Sequence, residues 1–120
     1  MGVRASLEIF KNGHWEYNSD LYHPLISRPS NLTGWGLHAI PVRGLPNDVS
    51  EQVKQLANQD TESYERFNEP TWMTFEEFEN RIIELDYEND SDFQLWYLKC
   101  EALETKKFRT RIVFWMTAYT

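Results

Sequence analysis

The chain of 120 residues has one cysteine, Cys100, and no apolar run of about 18 residues. A lone cysteine cannot form an internal disulfide, and such sparing use of cysteine is typical of a reducing compartment. Without a long apolar run there is no membrane-spanning helix, and the first residues lack the pattern of a secretory leader. We therefore expect one domain over residues 1–120 that works in the cytoplasm, without membrane contact, and buries its own core.

Basic residues are also scarce. Lys and Arg number 12 against 19 Asp and Glu, which gives a net charge of −7 and an isoelectric point near 4.9. This balance excludes a long nucleic-acid groove, because neutralising phosphates requires clustered Lys and Arg. The acids are concentrated in one stretch, the acidic run, which comprises Glu76, Glu77, Glu79, Glu84, Asp86, Glu88, Asp90 and Asp92. Residues 93–120, by contrast, carry a surplus of positive charge.

Aromatic residues are plentiful, with five Trp, six Tyr and seven Phe. A core of this size needs fewer rings, so we expect some of them at a surface that meets a ligand or a partner. Trp35, between two glycines, is the clearest candidate for an exposed ring. Residues 18–36 around it are rich in Pro, Gly, Ser and Asn and are predicted to form an irregular loop.

Both ends of the chain have strand character. Apolar residues alternate with polar ones at Val3, Ala5, Leu7 and Ile9, which predicts a strand with one core face. The pair Asn12-Gly13 then predicts a type I′ turn that places Phe10 opposite Trp15 in a hairpin. Residues 108–116 are rich in β-branched and aromatic side chains and predict a last strand beside this hairpin.

Three helices are predicted between these strands. Residues 37–50 are apolar but interrupted by Pro and Gly, which indicates a crossover, and Asp48 or Ser50 is placed to cap a helix over residues 49–58. Thr74 and Glu77 match a capping box for the second helix. The third begins at Ser91; its inner face is predicted to hold Phe93, Trp96, Cys100 and Leu103, widened by Leu95, Leu98 and Ala102.

The sequence thus predicts a single α+β domain. Its small antiparallel sheet consists of the N-terminal hairpin and the C-terminal strand, with a fourth strand expected near residues 37–42. Two or three helices cover this sheet.

Five segments carry a family resemblance: Met1-Gly2, Asn12-Gly13-His14-Trp15-Glu16, Arg43-Gly44-Leu45-Pro46-Asn47-Asp48-Val49-Ser50, Thr71-Trp72-Met73-Thr74-Phe75-Glu76-Glu77 and Arg111-Ile112-Val113-Phe114-Trp115. In order and spacing they resemble a group of small uncharacterised proteins of tailed bacteriophages and some bacteria. Members of that group typically begin Met-Gly-Cys-Asp-Ile-His and end in Arg-Ile-Val-Phe-Trp-Phe. This chain has Val3, Arg4 and Ser6 where the group has Cys, Asp and His, so any site built from those residues is absent. The resemblance implies a viral or mobile-element origin and supplies no activity.

Few residues point to catalysis or metal binding. The three histidines, His14, His23 and His38, fit no metal-ligand spacing, and Cys100 lies on the apolar stripe of a predicted helix, where a thiol is buried and inert. We therefore expect no catalytic residue, no metal and no cofactor. Arg43-Gly44 before a helix start has two interpretations, an anion site or a structural arginine in a salt bridge.

Three hypotheses for function follow. In the first, a non-enzymatic phage accessory protein binds and inhibits a host protein, for example an antiviral defence nuclease as anti-CRISPR proteins do. Its surface would be the acidic face of Glu76, Glu77, Glu79, Glu84, Asp86 and Glu88. In the second, a binding module sequesters a small nucleotide signal of host defence through Trp35, Arg43, Trp72, Arg109 and Arg111. A hydrolase ranks last, because no nucleophile–base pair is readable. A homo-oligomer is compatible with each.

Overall fold

The chain forms an α+β structure in which four antiparallel strands make one sheet. The computed structural model describes residues 2–21, 43–61, 70–84, 86–87 and 89–117. The strands are β1 (Gly2–Lys11), β2 (His14–Leu21), β3 (Thr71–Thr74) and β4 (Thr110–Thr117), and their spatial order is β2-β1-β4-β3. The helices are α1 (Glu51–Thr61), α2 (Phe75–Glu84) and α3 (Ser91–Thr105).

The N-terminal hairpin has the predicted turn. Asn12 and Gly13 both have positive φ, at 55° and 83°, as a type I′ turn requires. The turn sets the register, so Lys11 pairs with His14, and the ring of Phe10 lies 5.3 Å from that of Trp15. β2 continues to Leu21, so the prediction of an irregular loop from residue 18 was wrong for residues 18–21. The rest of that predicted loop, with Trp35, lies outside the described residues.

The C-terminal strand pairs with the hairpin, as predicted. β4 lies antiparallel to β1 in a register that runs from Gly2 opposite Thr117 to Ile9 opposite Thr110. The fourth strand that the structure describes is β3, on the other side of β4. The sequence did not predict it, because four residues are too few for a readable alternation. The strand expected near residues 37–42 falls on residues that the structure does not describe.

Helices pack against both faces of the sheet. On the first face, α2 and α3 bury a core that contains Leu7, Met73, Phe78, Phe93, Trp96, Cys100, Ile112 and Phe114. On the second face, α1 packs Val53 and Ala57 against Val113 and Trp115 of β4. The prediction that β1 has a single core face was therefore wrong. Ser6 and Glu8 point to the second face and are fully buried there.

The helix starts agree with the sequence in part. The capping box at α2 is confirmed: the Thr74 hydroxyl accepts from the Glu77 N–H, and the Glu77 carboxylate accepts from the Thr74 N–H. α1 is capped by Ser50, whose hydroxyl accepts from the Val53 N–H. Asp48 is drawn away from this role because it binds an arginine of the sheet.

The third helix corrects the sequence in two respects. Its N-cap is Asp90 rather than Ser91, since the Asp90 carboxylate accepts from the N–H groups of residues 92 and 93. Phe93, Trp96 and Cys100 are buried as predicted, but Leu95, Leu98 and Ala102 are exposed, because the sheet and α2 contact only one side of α3. Among the described residues, no helix is long and apolar enough to cross a membrane.

Candidate functional site

Among the described residues, α1 covers only part of the second face of the sheet. α1 covers Val113 and Trp115, while the part of the face nearer the hairpin turn lies beyond that helix. Beside the uncovered part is a hollow of about 750 Å³, which we call the depression. Side chains from β2, β3, β4 and the segment before α1 line it. Its lining residues are Trp15, Arg43, Leu45, Pro46, Asn47, Asp48, Trp72, Thr74, Arg109 and Arg111.

Guanidinium groups and aromatic rings alternate across this surface. The arginine–aromatic row, as we call it, comprises Phe10, Arg109, Trp15, Arg111, Trp72 and Arg43, in that order. The Arg111 Cζ lies 4.0 Å from the Trp15 ring centroid and 5.8 Å from that of Trp72. The Arg43 Cζ lies 4.8 Å from Trp72, and the Arg109 Cζ lies 4.5 Å from Phe10 and 5.8 Å from Trp15. Each distance is within the range of a cation–π contact.

The middle arginine of the row is buried and held by two carboxylates. Arg111 Nε donates to Glu8 Oε1 at 2.7 Å, and its Nη1 donates to Asp48 Oδ1 at 2.8 Å. The second oxygen of Glu8 accepts from the Ser50 N–H at 2.8 Å, so the pair also fixes the start of α1. The hydrogen bond from Arg111 lowers the pKa of Asp48, which keeps that carboxylate charged. Strand, crossover and helix are thereby joined at one ion pair.

A second ion pair ties the segment before α1 to α2. Both terminal nitrogens of Arg43 donate to the Glu77 carboxylate, and its backbone N–H donates to the Thr71 hydroxyl. These hydrogen bonds raise the pKa of Arg43 and lower that of Glu77. Gly44, at φ 78°, donates its N–H to the Pro70 carbonyl at 2.8 Å. The structural interpretation of Arg43-Gly44, a salt-bridged arginine, is therefore confirmed.

Arg109 differs from the other two arginines. Its side chain is exposed, and no carboxylate of the described residues pairs with it. It is held in place by the rings of Phe10 and Trp15. Arg43 and Arg111 thus bind three carboxylates between them, those of Glu77, Glu8 and Asp48, whereas the guanidinium of Arg109 remains available to a ligand.

The structure brings together most of the predicted ligand-binding residues. Arg43, Trp72, Arg109 and Arg111 all line the depression, although they come from separate parts of the chain. Trp35, the fifth residue of that set, lies outside the described residues. Sequence reasoning missed Trp15, Glu8 and Asp48 as members of this site. The hairpin register could have indicated Trp15, but Glu8 joins the site only through the β1–β4 pairing, and Asp48 only through the packing of residues 43–50 against Arg111.

The acidic run is divided between several surroundings. Glu77 binds Arg43 beside the depression, whereas Glu79 accepts from the Tyr97 hydroxyl on the opposite side of the sheet. Glu84 pairs with Arg81 at 3.1 Å. Glu76 and Asp86 are exposed, and Glu88 lies outside the described residues. These carboxylates do not all point to one surface.

His14 and Cys100, the candidates for metal binding and catalysis among the described residues, do not line the depression. His14 is exposed and lies 2.9 Å from Glu16, while His23 and His38 fall outside the described residues. Cys100 is buried, as predicted, and burial raises the pKa of its thiol to about 12. Within the described ranges, no three side chains of His, Cys, Asp or Glu converge where they could hold a metal ion.

No protein-family model, no curated protein and no solved structure matches the chain. The chemistry of the depression therefore has to be inferred from its own side chains. Indole rings and guanidinium planes stack on flat aromatic groups, and guanidinium groups donate hydrogen bonds to phosphates and carboxylates. A ligand that combines a flat ring with an anionic group would use both.

Proposed function

We propose that the protein is a binding module that holds a small nucleotide in the depression without transforming it. The observation that supports this function is the arginine–aromatic row, in which the guanidinium of Arg109 is exposed and forms no ion pair with any carboxylate of the described residues. A base would stack on the tryptophan rings and guanidinium planes of the row, and a phosphate would accept hydrogen bonds from Arg109.

The charge balance of the depression restricts the ligand. Arg43 is paired with Glu77, and Arg111 is paired with Glu8 and Asp48, so neither offers a free charge. A ligand that carries one or two negative charges fits one available guanidinium better than a triphosphate does, because extra phosphates would meet Asp48 and Glu77. We therefore expect a nucleoside monophosphate or a cyclic dinucleotide rather than ATP.

The resemblance to the phage group extends this proposal to a biological role. A phage protein that sequesters a small nucleotide would lower the concentration of a host-defence signal of that chemistry. Such a role requires tight binding and slow release but no turnover, which agrees with a site in which two of three arginines are held rigidly by carboxylates.

The proposal is tested by titrating the protein with a panel of ligands in a calorimeter. The panel comprises adenosine, AMP, ATP, cyclic di-AMP, cyclic di-GMP and inorganic phosphate. We expect a monophosphate or a cyclic dinucleotide to bind at least about tenfold more tightly than adenosine or phosphate alone. Arg109→Gln should weaken that binding by about tenfold or more, as the loss of one charge-assisted contact predicts.

Lys54→Gln is the matched control, because Lys54 is an exposed cation on α1 outside the depression. It should leave the affinity unchanged. If no member of the panel binds, or if Arg109→Gln binds as well as the unmodified protein, the proposal fails.

Inhibition of a host protein through the acidic face is the second proposal. Three carboxylates of that face, those of Glu76, Glu79 and Asp86, lie outside the depression. Replacing all three with Lys should slow association with such a partner and flatten its salt dependence, because exposed charges steer encounter. An unchanged association rate would remove the physical basis of this proposal.

A further inference from the structure

On the face of the molecule opposite the depression, α2 and α3 form a groove. The two helices pack as an antiparallel pair: Phe75 at the start of α2 stacks on Tyr97 at 5.5 Å, and Phe78 one turn later lies 6.3 Å from Phe93. Between them is a groove of about 400 Å³, which we call the helix groove. It is lined by Glu79, Ile82, Ile83, Phe93, Gln94, Tyr97 and Leu98.

The helix groove and its margin expose large apolar side chains. Ile83 is 59% exposed, Leu98 is 55% exposed and Leu95 is 62% exposed; these are the large hydrophobic residues that the described part of the chain leaves in solvent. Ile83 and Leu98 line the groove from its two sides, and Leu95 lies one turn before Leu98 on α3. A contiguous apolar strip of this kind marks an interaction surface more often than isolated exposed residues do.

The helix-groove side of this strip carries negative charge, whereas Leu95 and Leu98 also line a second hollow beside Lys99. Tyr97 donates its hydroxyl hydrogen to Glu79 Oε2 at 2.9 Å, and Glu101 lies within hydrogen-bond reach of the same hydroxyl. A phenol has one hydrogen, so it cannot satisfy both carboxylates. Among the described residues, no Lys or Arg forms an ion pair with either of them. The solvent-accessible carboxylate oxygens of these two residues are therefore suited to an ammonium or guanidinium group from outside.

We propose that the helix groove docks an amphipathic helix of a partner protein, with apolar anchors spaced at i, i+4 and i+7 and with Lys or Arg beside them. The anchors would cover Ile83, Leu95 and Leu98, and the basic side chains would pair with Glu79 and Glu101. Helix-in-groove recognition uses this combination of apolar anchors and flanking charge. A second copy of this chain is a poor occupant, because a two-fold contact would bring the same carboxylates against each other. This docking site is independent of the nucleotide site.

The test uses two synthetic helical peptides of roughly four turns. Both carry Leu at the three anchor spacings; one has Lys at the flanking positions and the other has Glu. Fluorescence anisotropy should show that the Lys peptide binds at least about tenfold more tightly than the Glu peptide, with an affinity that falls as salt is raised. Leu98→Ser should weaken the binding of the Lys peptide by about tenfold, as expected when a central apolar contact of the groove is lost.

Two further variants identify the charges. The double variant Glu79→Gln, Glu101→Gln should reduce the preference for Lys over Glu, whereas Glu51→Gln on α1, an exposed control on the other face of the sheet, should not. Circular dichroism melting curves should remain those of the unmodified protein, because Leu98, Glu101 and Glu51 are exposed and the amide oxygen of Glu79→Gln can still accept from the Tyr97 hydroxyl. Equal binding of the two peptides, or equal effects of the test and control variants, would overturn the proposal. So would a dimer that Leu98→Ser converts to a monomer, because the occupant would then be a second copy.

Discussion

Among single residues, Arg111 has the largest influence on the site. It is buried on the second face of the sheet, where its Nε contacts the fully buried Glu8 and its plane lies between two tryptophans. A buried ion pair adds little net stability, since desolvating both charges offsets their attraction. The ion pair instead fixes the position of residues 48–50 against β1 and β4. Arg111 can bind Glu8 and Asp48, and Glu8 can accept from the Ser50 N–H, only when these segments lie together as observed.

Arg111→Leu should therefore lower the free energy of unfolding by about 3–5 kcal/mol, because it leaves the Glu8 carboxylate buried without its cation. The double variant Glu8→Gln, Arg111→Leu should recover a large part of that loss, since the amide oxygen of Gln can still accept from the Ser50 N–H. Urea denaturation of the two variants measures the difference. If the double variant is as unstable as the single one, the loss comes from packing rather than from the unpaired charge.

Cys100 gives a second prediction for a single residue. Its thiol is buried, and its pKa is raised to about 12, so almost no thiolate exists near neutral pH. We expect a soluble aromatic disulfide reagent to label the native protein over many minutes and the urea-unfolded protein within seconds. Rapid stoichiometric labelling of the native protein would show that the thiol is accessible.

The helices illustrate how local hydrogen bonds decide where an element begins. Of the two adjacent candidates for the N-cap of α3, Asp90 has this role, because its side chain accepts from two backbone N–H groups. Ser91 is already the first helical residue. Asp90→Ala should lower the free energy of unfolding by about 1 kcal/mol, whereas Ser91→Ala should change it by less than about 0.5 kcal/mol. Thermal and urea unfolding of both variants provide the comparison. The opposite ranking would place the cap on Ser91.

The elements that were predicted from sequence are those with local signals. The Asn12-Gly13 turn, the Thr74–Glu77 box and the inner face of α3 depend on residues within a few positions of each other. The pairing of β3 with β4 and the packing of helices on both faces of the sheet depend on contacts between distant segments. A local sequence pattern does not predict such contacts. The exposure of Leu98 likewise could not be predicted locally. Its spacing on the helix is that of a core residue, and only the tertiary structure shows that no other element of the described residues covers it.

The same limit applies to the site. The aromatic and arginine content indicated that Trp72, Arg109 and Arg111 could share a surface, but their order in the arginine–aromatic row follows from the sheet order β2-β1-β4-β3. Glu8 had the pattern of a solvent-facing strand residue. It is buried because α1 packs Val53 and Ala57 on Val113 and Trp115, which brings Ser50 at the start of the helix over Glu8.

In the whole molecule, two ion pairs hold the segment before α1 against the sheet and α2. The pKa of Glu77 is lowered by Arg43 and that of Asp48 by Arg111, from ordinary values of 4.5 and 3.8. A carboxylate with a lowered pKa in the folded state stabilises it above the unfolded pKa, and that contribution is lost as pH falls through the folded pKa. Stability should therefore decline progressively below about pH 4.5.

The double variant Asp48→Asn, Glu77→Gln should show a flatter decline of the urea midpoint between pH 6 and pH 3 than the unmodified protein. It should also be less stable at pH 6, where both native carboxylates are charged. If the urea midpoints of the double variant and the unmodified protein fall in parallel as the pH is lowered, these ion pairs do not contribute to acid sensitivity.

The pairing of β1 with β4 has a consequence for the rate of folding. The salt bridge between Glu8 and Arg111 joins residues 103 positions apart, and β4 is the last of the described elements to leave the ribosome. Closing so long a loop costs chain entropy before any contact compensates for it, which is why such topologies fold slowly. Until β4 arrives, the hairpin and β3 have no strand in common, α1 lacks Val113 and Trp115, and the layer of α2 and α3 lacks Ile112 and Phe114. Both layers therefore complete their cores in the same late step, when β4 joins the sheet.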